Sequence, residues 1–176
     1  MTTKNHQANT DDRTQKQSAG DIQLPRLSDL LEAALDYHRR GWSIIPTTIN
    51  RARGNWKKAA VPWKSFQITP PTESEVRGMF HCKRNLTGVA VVLGPVSGNL
   101  YARDFDDLTA YANWSTAHPD LAKALPTVAT GRGIHIYFRS TKPVTTKELD
   151  DGELRGEGGY IVLPPSVHHT GTLYRW

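Results

Sequence analysis

Two carboxylates stand two positions apart at the end of an apolar stretch of the sequence. Asp104 and Asp106 follow the run that begins at Leu100, and side chains at positions i and i+2 of a β-strand point to the same face of a sheet. Two like charges that close repel each other unless a cation lies between them, and hard oxygen ligands suit Mg²⁺ or Mn²⁺. The pair is a candidate metal site. The alternative is a strand that ends in polar residues, with Asp107 capping the next helix.

A histidine lies within an alternating run over residues 134–138. Alternation places the isoleucines and Phe138 on one face of a strand, which is core, and His135 on the other. The preceding turn, Gly131-Arg132-Gly133, offers backbone amides and the Arg132 guanidinium to phosphate oxygens. His135 and Arg132 are therefore candidate phosphate-binding residues, and the alternative for His135 is a hydrogen-bonded structural histidine.

An acid and a base form a third polar segment. Glu153 and Arg155 stand two positions apart, so an extended backbone places both on one side, and the glycines that follow permit close approach of the backbone. Glu153 is a candidate for a third metal ligand. A surface ion pair in a flexible loop is the alternative, and further acids at positions 148, 150, 151 and 157 leave the choice of ligand open.

The surrounding sequence predicts helices that help to position these residues. Apolar residues at helical spacing predict an amphipathic helix over 27–41, with Ser28 as a candidate cap. Thr72 to Glu75 has the spacing of a capping box that begins a second helix, and a third helix is predicted over 107–118. The predicted inner face of this third helix comprises Leu108, Tyr111 and Ala112.

Short apolar runs predict the strands. They span residues 42–46, 88–93, 100–105, 127–130, 134–139 and 160–163. We expect the strands at 88–93 and 100–105 to be neighbours, and the strands on either side of Gly131-Arg132-Gly133 to form a hairpin. A basic loop with Arg51, Arg53, Lys57 and Lys58 is expected after the first strand. Because helices and strands are intermingled, the predicted fold class is α+β with a largely antiparallel sheet.

Length and composition limit the class of protein. The chain has 176 residues, enough for one domain of ordinary size, and no apolar run approaches the ~18 residues that cross a bilayer. Lysine and arginine outnumber aspartate and glutamate by 22 to 17, which favours a polyanionic partner. The single cysteine, Cys82, excludes an intrachain disulfide, and we expect a cytoplasmic protein. Residues 1–25 contain little to bury, which predicts a disordered tail before one domain over 26–176.

The three polar segments, taken in their order along the chain, resemble a known family. Asp104-Phe105-Asp106, then Gly133-Ile134-His135, then the run from Glu153 to Ser166 look like the bifunctional DNA primase/polymerase domain of the archaeo-eukaryotic primase superfamily. The run from Glu153 to Ser166 is the most specific part because of its length and mixed character. The resemblance covers about residues 27–176.

This resemblance implies a primase/polymerase fold, in which an RRM-like antiparallel sheet carries the active site beside a smaller α/β subdomain formed by the amino-terminal half. It implies template-directed nucleotidyl transfer from NTP or dNTP to a primer 3′ hydroxyl on single-stranded DNA, by a two-metal mechanism with Mg²⁺ or Mn²⁺. The implied setting is replication of a plasmid, phage or other mobile element. A helicase domain or protein is an implied partner, so we expect the chain to be a fragment or a stand-alone product.

The resemblance also implies roles for individual residues. Asp104, Asp106 and Glu153 would be the catalytic metal ligands. His135 would contact the phosphates of the incoming nucleotide, with Arg155 and Arg132 assisting. The candidate template-binding residues, which would track phosphates and stack bases, are Lys57, Lys58, Trp63 and Lys64. For this basic segment the alternative is a solvated loop with a packed tryptophan.

Two other classes of protein compete with a polymerase. One is a catalytically inactive or fragmentary single-stranded DNA-binding module that keeps the fold. The other is a replication nuclease that uses two histidines flanking one hydrophobic residue. The nuclease is disfavoured because His135-Ile136-Tyr137 lacks the second histidine and His168-His169 has the wrong spacing.

Overall fold

Two antiparallel β-sheets and four α-helices form the described part of the chain, which in this computed structural model comprises residues 24–50 and 55–176. The helices are α1 (Leu27–Arg39), α2 (Glu73–His81), α3 (Leu108–Ala117) and α4 (Pro119–Ala124). The strands are β1 (Ile44–Asn50), β2 (Asn55–Ala59), β3 (Gly88–Val92), β4 (Leu100–Phe105), β5 (Thr127–Ala129), β6 (Ile134–Arg139), β7 (Lys147–Leu149), β8 (Gly152–Arg155) and β9 (Tyr160–Leu163). The predicted α+β class with antiparallel strands is confirmed.

A four-stranded sheet, in the order β2-β1-β3-β9, holds the main hydrophobic core. Every residue of the inner strand β3 is buried, as its continuous aliphatic sequence favours. Helices α1 and α2 pack on this sheet and on each other, and they insert the fully buried side chains of Leu30, Val76 and Phe80. Burial of each such side chain contributes roughly 1.5–3 kcal/mol.

A five-stranded sheet, in the order β5-β6-β4-β8-β7, carries the polar segments of the sequence. On one face a smaller core joins this sheet to α3. The residues of this core include Phe105, Ile134, Ile136, Tyr111 and Trp114. The other face of β6 is buried as well, since His135 is 1% exposed and Tyr137 is 2% exposed. Strand β6 is therefore covered on both faces, whereas its alternation predicted one core face.

The predicted caps of α2 and α3 are confirmed. The Glu75 amide donates to Thr72 Oγ1 at 3.2 Å, and the Thr72 amide donates to Glu75 Oε2 at 2.7 Å, which completes a capping box. The Ala110 amide donates to Asp107 Oδ1 at 2.8 Å. Both helices therefore begin where their sequence signals place them.

Two local predictions are wrong. Ser28 does not cap α1, because the helix begins two residues earlier than that role requires and Arg26 is the N-cap residue. Leu108 does not lie on the inner face of α3, since it is 62% exposed. Trp114 packs on the sheet instead, with its ring centre 5.5 Å from that of Phe105.

The connections between strands also differ from the prediction. Strands β3 and β4 are not paired neighbours, because a 3₁₀ turn at Pro95–Ser97 leads the chain from one sheet to the other. The predicted basic loop is partly the strand β2, which carries Lys57 and Lys58. The four-stranded sheet is not built from the amino-terminal half alone, since β9 is one of its edges.

The predicted tail falls almost entirely on residues 1–23, and Arg51 and Arg53 of the predicted loop fall on residues 51–54. Both segments lie outside the described residues. Of the helices in the described part, none combines the length and the apolar character that crossing a membrane requires.

Candidate active site

Three neighbouring strands bring the polar segments of the sequence into one row. Asp104 on β4 lies directly opposite His135 on β6 and Glu153 on β8, and directly opposed residues of an antiparallel pair share a face of the sheet. Arg103 points to the other face, where its guanidinium lies 4.4 Å from the ring centre of Phe105. We call His135, Asp104 and Glu153 the Asp104 row.

Two glycines let the flanking strands approach the end of β4. A Cβ atom at Gly133 would collide with the carbonyl oxygen of Phe105, and one at Gly152 would collide with that of Asp104. Gly152 also has φ = +134°, a conformation that side chains rarely adopt. These glycines, which closely precede His135 and Glu153 in the sequence, therefore allow the row to form.

The Asp104 carboxylate is the electrostatic centre of the row. His135 Nε2 lies 3.3 Å from its Oδ1 atom, and Arg155 Nη2 lies 3.4 Å from its Oδ2 atom. Burial raises the pKa of Asp104, but His135 and the nearby cations Lys57 and Arg155 outweigh burial and lower the pKa to about 2. Asp104 is therefore ionised at neutral pH.

One cation joins the carboxylates of two adjacent strands. Arg155 Nη2 lies 2.7 Å from Glu153 Oε2 as well as 3.4 Å from Asp104 Oδ2. Burial raises the pKa of Glu153, and the charges of Glu148, Asp104 and Asp106 raise it further, although Arg155 opposes them. Carboxylate oxygens that already converge on a cation are the donor set that Mg²⁺ or Mn²⁺ takes. Asp104 and Glu153 therefore fit such an ion.

Asp106 lies just beyond the end of β4 and is exposed. It lines a pocket together with Asp104, so the two carboxylates face one space, as strand alternation predicts. Within residues 24–50 and 55–176, however, no three His, Cys, Asp or Glu side chains are gathered closely enough to form a metal-ligand cluster. The structure brings Asp104 and Glu153 together and does not gather Asp106 with them.

His135 lies behind Asp104. Its ring is 1% exposed, and its Nδ1 atom lies 3.4 Å from the Tyr137 hydroxyl. The Nε2 atom is close to Asp104 but is not aligned for a hydrogen bond with it. Burial lowers the pKa of His135, although the Asp104 carboxylate opposes this shift. The imidazole is therefore neutral near pH 7 and lies against the Asp104 carboxylate.

A polar pocket of about 120 Å³ opens beside the Asp104 row. Its charged and polar lining comprises Lys57, Asp104, Asp106, Thr130, Arg132, Arg155 and His168. Arg132, the exposed residue of the β5–β6 turn, thus faces the same space as the carboxylates. His168 is 4% exposed; burial, followed by the nearby His169, Lys57 and Arg132, lowers the pKa of His168 to about 4. His168 is therefore neutral at pH 7.

A second pocket of about 300 Å³ shares part of its lining with the polar pocket. We call it the aromatic pocket, because Trp63 and Tyr160 line it and their rings pack edge to face at 4.9 Å. The Tyr160 hydroxyl donates to the Lys57 carbonyl at 2.9 Å and accepts from the Ala59 amide at 3.1 Å. This contact joins β9 to β2, the two edge strands of the four-stranded sheet.

The four residues predicted to bind DNA separate in the structure. Lys57 lines both pockets, and its ammonium lies 5.8 Å from the ring centre of Tyr174. Burial lowers the pKa of Lys57, although Asp104 opposes this shift. Lys58 and Lys64 are exposed and line neither pocket, whereas Trp63 belongs to the aromatic pocket.

Sequence reasoning gave no role to three residues that the structure places near the row. His168, Tyr160 and Tyr174 all come from the last part of the chain, and they reach the site because β9 pairs with β3 and a bridge pairs Val167 with Leu173. The signal that was present is their position within, or just after, the Glu153 to Ser166 run.

Comparisons with known proteins agree with the motifs. The family model described as bifunctional DNA primase/polymerase, N-terminal, matches residues 34–176, a range that includes the Asp104 row and both pockets. No curated protein matches the chain. Since the family model spans most of the sequence, the resemblance carried by the three polar segments is confirmed. The chain belongs to the bifunctional DNA primase/polymerase family.

Proposed function

We propose that the chain is a DNA primase/polymerase that transfers nucleotides from NTP or dNTP to a primer 3′ hydroxyl on a single-stranded DNA template. The observation that carries this proposal is the Asp104 row on three adjacent strands, in a chain of the primase/polymerase family. Phosphoryl transfer depends on positioning and on charge stabilisation more than on covalent chemistry. A row of carboxylates beside cationic side chains is suited to that task.

Asp104, Asp106 and Glu153 would hold Mg²⁺ or Mn²⁺. When bound, such ions lower the pKa of a primer hydroxyl and neutralise charge on the phosphates. Asp104 supplies a full negative charge because its pKa is about 2, and His135 Nε2 lies 3.3 Å from its Oδ1 atom. Arg155 keeps the carboxylates of Asp104 and Glu153 together before any ligand arrives.

Arg155, Arg132 and His135 would bind the phosphates of the nucleotide. Two of them, Arg132 and Arg155, line the polar pocket, and guanidinium groups form paired hydrogen bonds with phosphate oxygens. A phosphate contact by His135 would use its Nε2 atom, which has no aligned hydrogen bond.

Lys58, Trp63 and Lys64 would contact the template, whereas Lys57, the fourth residue predicted for this role, lines the two pockets. Lys58 and Lys64 are exposed, so they can follow a phosphate backbone. The formal charge of +5 on the whole chain supports a nucleic-acid partner.

The fold that we propose is that of the archaeo-eukaryotic primases, over residues 26–176. The five-stranded sheet would be the RRM-like sheet with the active site, and the four-stranded sheet with α1 and α2 would be the smaller α/β subdomain. The proposed setting is cytoplasmic replication of a plasmid, phage or other mobile element, with a helicase domain or protein as partner.

Primer extension on a single-stranded template with Mg²⁺ or Mn²⁺ tests the proposed activity. Asp104→Ala combined with Asp106→Ala should abolish extension, and binding of single-stranded DNA should stay the same or tighten because two negative charges are removed. Asp29→Ala combined with Asp36→Ala is the matched control, since it removes two acids from α1. This control should extend primers like the unmodified chain.

The two possible failures have different meanings. If the Asp104 and Asp106 variant loses DNA binding together with extension, the metal-site assignment is wrong. If the unmodified chain is folded and binds DNA but extends no primer with either metal, the polymerase proposal is wrong. That outcome would favour a single-stranded DNA-binding module that keeps the fold without catalysis.

A further inference from the structure

Two cations of the polar pocket lack an anionic partner among the described residues. The Lys57 ammonium forms no ion pair there, and its one charged or ring interaction is with the face of Tyr174. The Arg132 guanidinium likewise pairs with no carboxylate of the described part. Arg155, in contrast, is shared between Asp104 and Glu153. The polar pocket is therefore lined by three cations and by the two carboxylates of Asp104 and Asp106, which leaves one positive charge unmatched.

The position of Lys57 is fixed by the fold. The Tyr160 hydroxyl donates a hydrogen bond to the Lys57 carbonyl at 2.9 Å and accepts one from the Ala59 amide at 3.1 Å. Strand alternation then sends Lys57 into the pockets and Lys58 to the surface. Partial burial of an unpaired ammonium costs free energy that a bound anion would offset.

His168 is held toward the same space from another part of the chain. Its Nδ1 atom lies 2.9 Å from Thr170 Oγ1, which fixes the ring. Its Nε2 atom forms no hydrogen bond with any described residue, and the side chain lines the polar pocket although it is only 4% exposed. His135, the histidine singled out by the motif, is not among the residues that line this pocket.

We propose that Lys57, Arg132 and His168 form the binding site for the polyphosphate of the incoming nucleotide, so that Lys57 acts on the nucleotide and not on the template. This inference rests on the proposed nucleotidyl transfer. The three side chains come from β2, the β5–β6 turn and the segment after β9, so they can surround a chain of phosphate oxygens from different directions.

The charge and shape of the two pockets agree with this assignment. The polar pocket contains Lys57, Arg132 and Arg155 against the carboxylates of Asp104 and Asp106, which leaves it cationic. The adjoining aromatic pocket, with Trp63 and Tyr160 in its wall, would accept the less polar sugar and base. Lys57 lies where the two pockets meet.

Calorimetric titration of the full chain with sodium tripolyphosphate, in Mg²⁺ and without DNA, tests the inference. Lys57→Gln should weaken binding about 10- to 100-fold, and His168→Gln about 3- to 10-fold, as expected for a charged and a neutral hydrogen bond. Lys123→Gln is the matched control, because it makes the same change at an exposed lysine of α4 that lines neither pocket. It should leave tripolyphosphate binding unchanged.

Binding of a fluorescent single-stranded oligonucleotide gives the second readout. Lys57→Gln should leave this binding unchanged, since the lysine is assigned to the nucleotide. The inference is overturned if Lys57→Gln weakens oligonucleotide binding but not tripolyphosphate binding, or if the unmodified chain binds no tripolyphosphate at millimolar concentration.

Near-UV circular dichroism shows whether each variant folds. If Lys57→Gln does not fold, the tripolyphosphate affinities of Lys57→Arg and His168→Gln test the inference instead. An unchanged affinity in His168→Gln overturns the inference. None of these measurements needs primer extension. A chain that binds tripolyphosphate through Lys57 but extends no primer would therefore contradict the proposed activity and leave the assignment of this site intact.

Discussion

The two sheets of this protein differ in what they bury. Every residue of β3, in the four-stranded sheet, is buried, and the strand is apolar throughout. Strand β4, the next strand along the chain, places the Asp104 carboxylate beside His135 and Arg155. Apolar burial stabilises a fold directly, whereas ion contacts in protein interiors contribute little net stability because desolvation offsets their attraction. The inner strands of the four-stranded sheet therefore support the fold, the five-stranded sheet carries the Asp104 row, and the edge strands β2 and β9 add Lys57 and Tyr160 to the pockets.

The largest expected effect is a loss of activity when a charged residue of the five-stranded sheet is replaced. Asp104→Asn should lower primer extension by at least about 10³-fold, which corresponds to about 4 kcal/mol. Its free energy of unfolding should fall by about 2 kcal/mol, because the folded chain stabilises the charged form of Asp104 and lowers its pKa to about 2. Extension rates and urea unfolding measure the two quantities. A loss of several kcal/mol in stability would break the comparison, since the five-stranded sheet would then depend on its charges for folding.

The converse effect is expected in the four-stranded sheet. Ile44 is fully buried and pairs with Val91 on β3, so Ile44→Ala should lower the free energy of unfolding by about 3 kcal/mol through lost burial and a cavity. At a temperature where the variant stays folded, its extension rate should match that of the unmodified chain. Denaturant unfolding and extension at 15 °C check this, and a large loss of activity in the folded variant would contradict the separation.

A smaller effect on the free energy of unfolding is expected when the pH is lowered, because His168 becomes protonated. Its pKa in the folded chain is about 4, and that of a histidine in an unfolded chain is about 6.5. As the pH falls, the unfolded state binds the proton first, so the stability that neutral His168 contributes is complete above about pH 6.5 and is lost toward pH 4. The loss between pH 7 and pH 5 should be about 2 kcal/mol.

Denaturant unfolding at both pH values, for the unmodified chain and for His168→Gln, isolates this contribution. His135, whose pKa burial also lowers, titrates in both proteins and cancels in the difference. An equal acid loss in the two proteins would mean that the pKa of His168 is the same in the folded and unfolded states, which would contradict the prediction.

The smallest effect concerns the residue that follows the carboxylate pair. Asp107 caps α3 through the Ala110 amide at 2.8 Å, so Asp107→Ala should lower the free energy of unfolding by about 1 kcal/mol. Asp107→Ser keeps a capping oxygen and should retain most of the stability. Extension should stay within about twofold in both variants, and a tenfold loss would place Asp107 in the site with Asp104.

Much of the site could be predicted from local sequence. Alternation along β4, β6 and the extended segment of Glu153 and Arg155 indicated which side chains would share a face, and the register confirms that Asp104 lies between the other two. The motif order was also sufficient to identify the family. These signals are local because strand geometry repeats every two residues.

The errors have long-range causes. The inward position of Lys57 depends on Tyr160, a residue 103 positions away, and no local pattern distinguishes Lys57 from Lys58. Strands β3 and β4 looked like neighbours because only a short turn separates them, yet each pairs with strands from elsewhere in the chain. Leu108 is exposed because α3 places Trp114 on the sheet instead, a choice that helical spacing alone does not decide.

The hydrogen bond between Tyr160 and the Lys57 carbonyl has a consequence for synthesis on the ribosome. A ribosome adds about 5–20 residues per second, so the 103 positions between these residues take roughly 5–20 s to translate. Once β3 has emerged, it lacks its β9 partner for the rest of that interval, and an apolar strand edge is open to chaperones or to other nascent chains. The pockets become complete only after Tyr160 and His168 have been synthesised, so the candidate site forms long after the strand that carries Lys57.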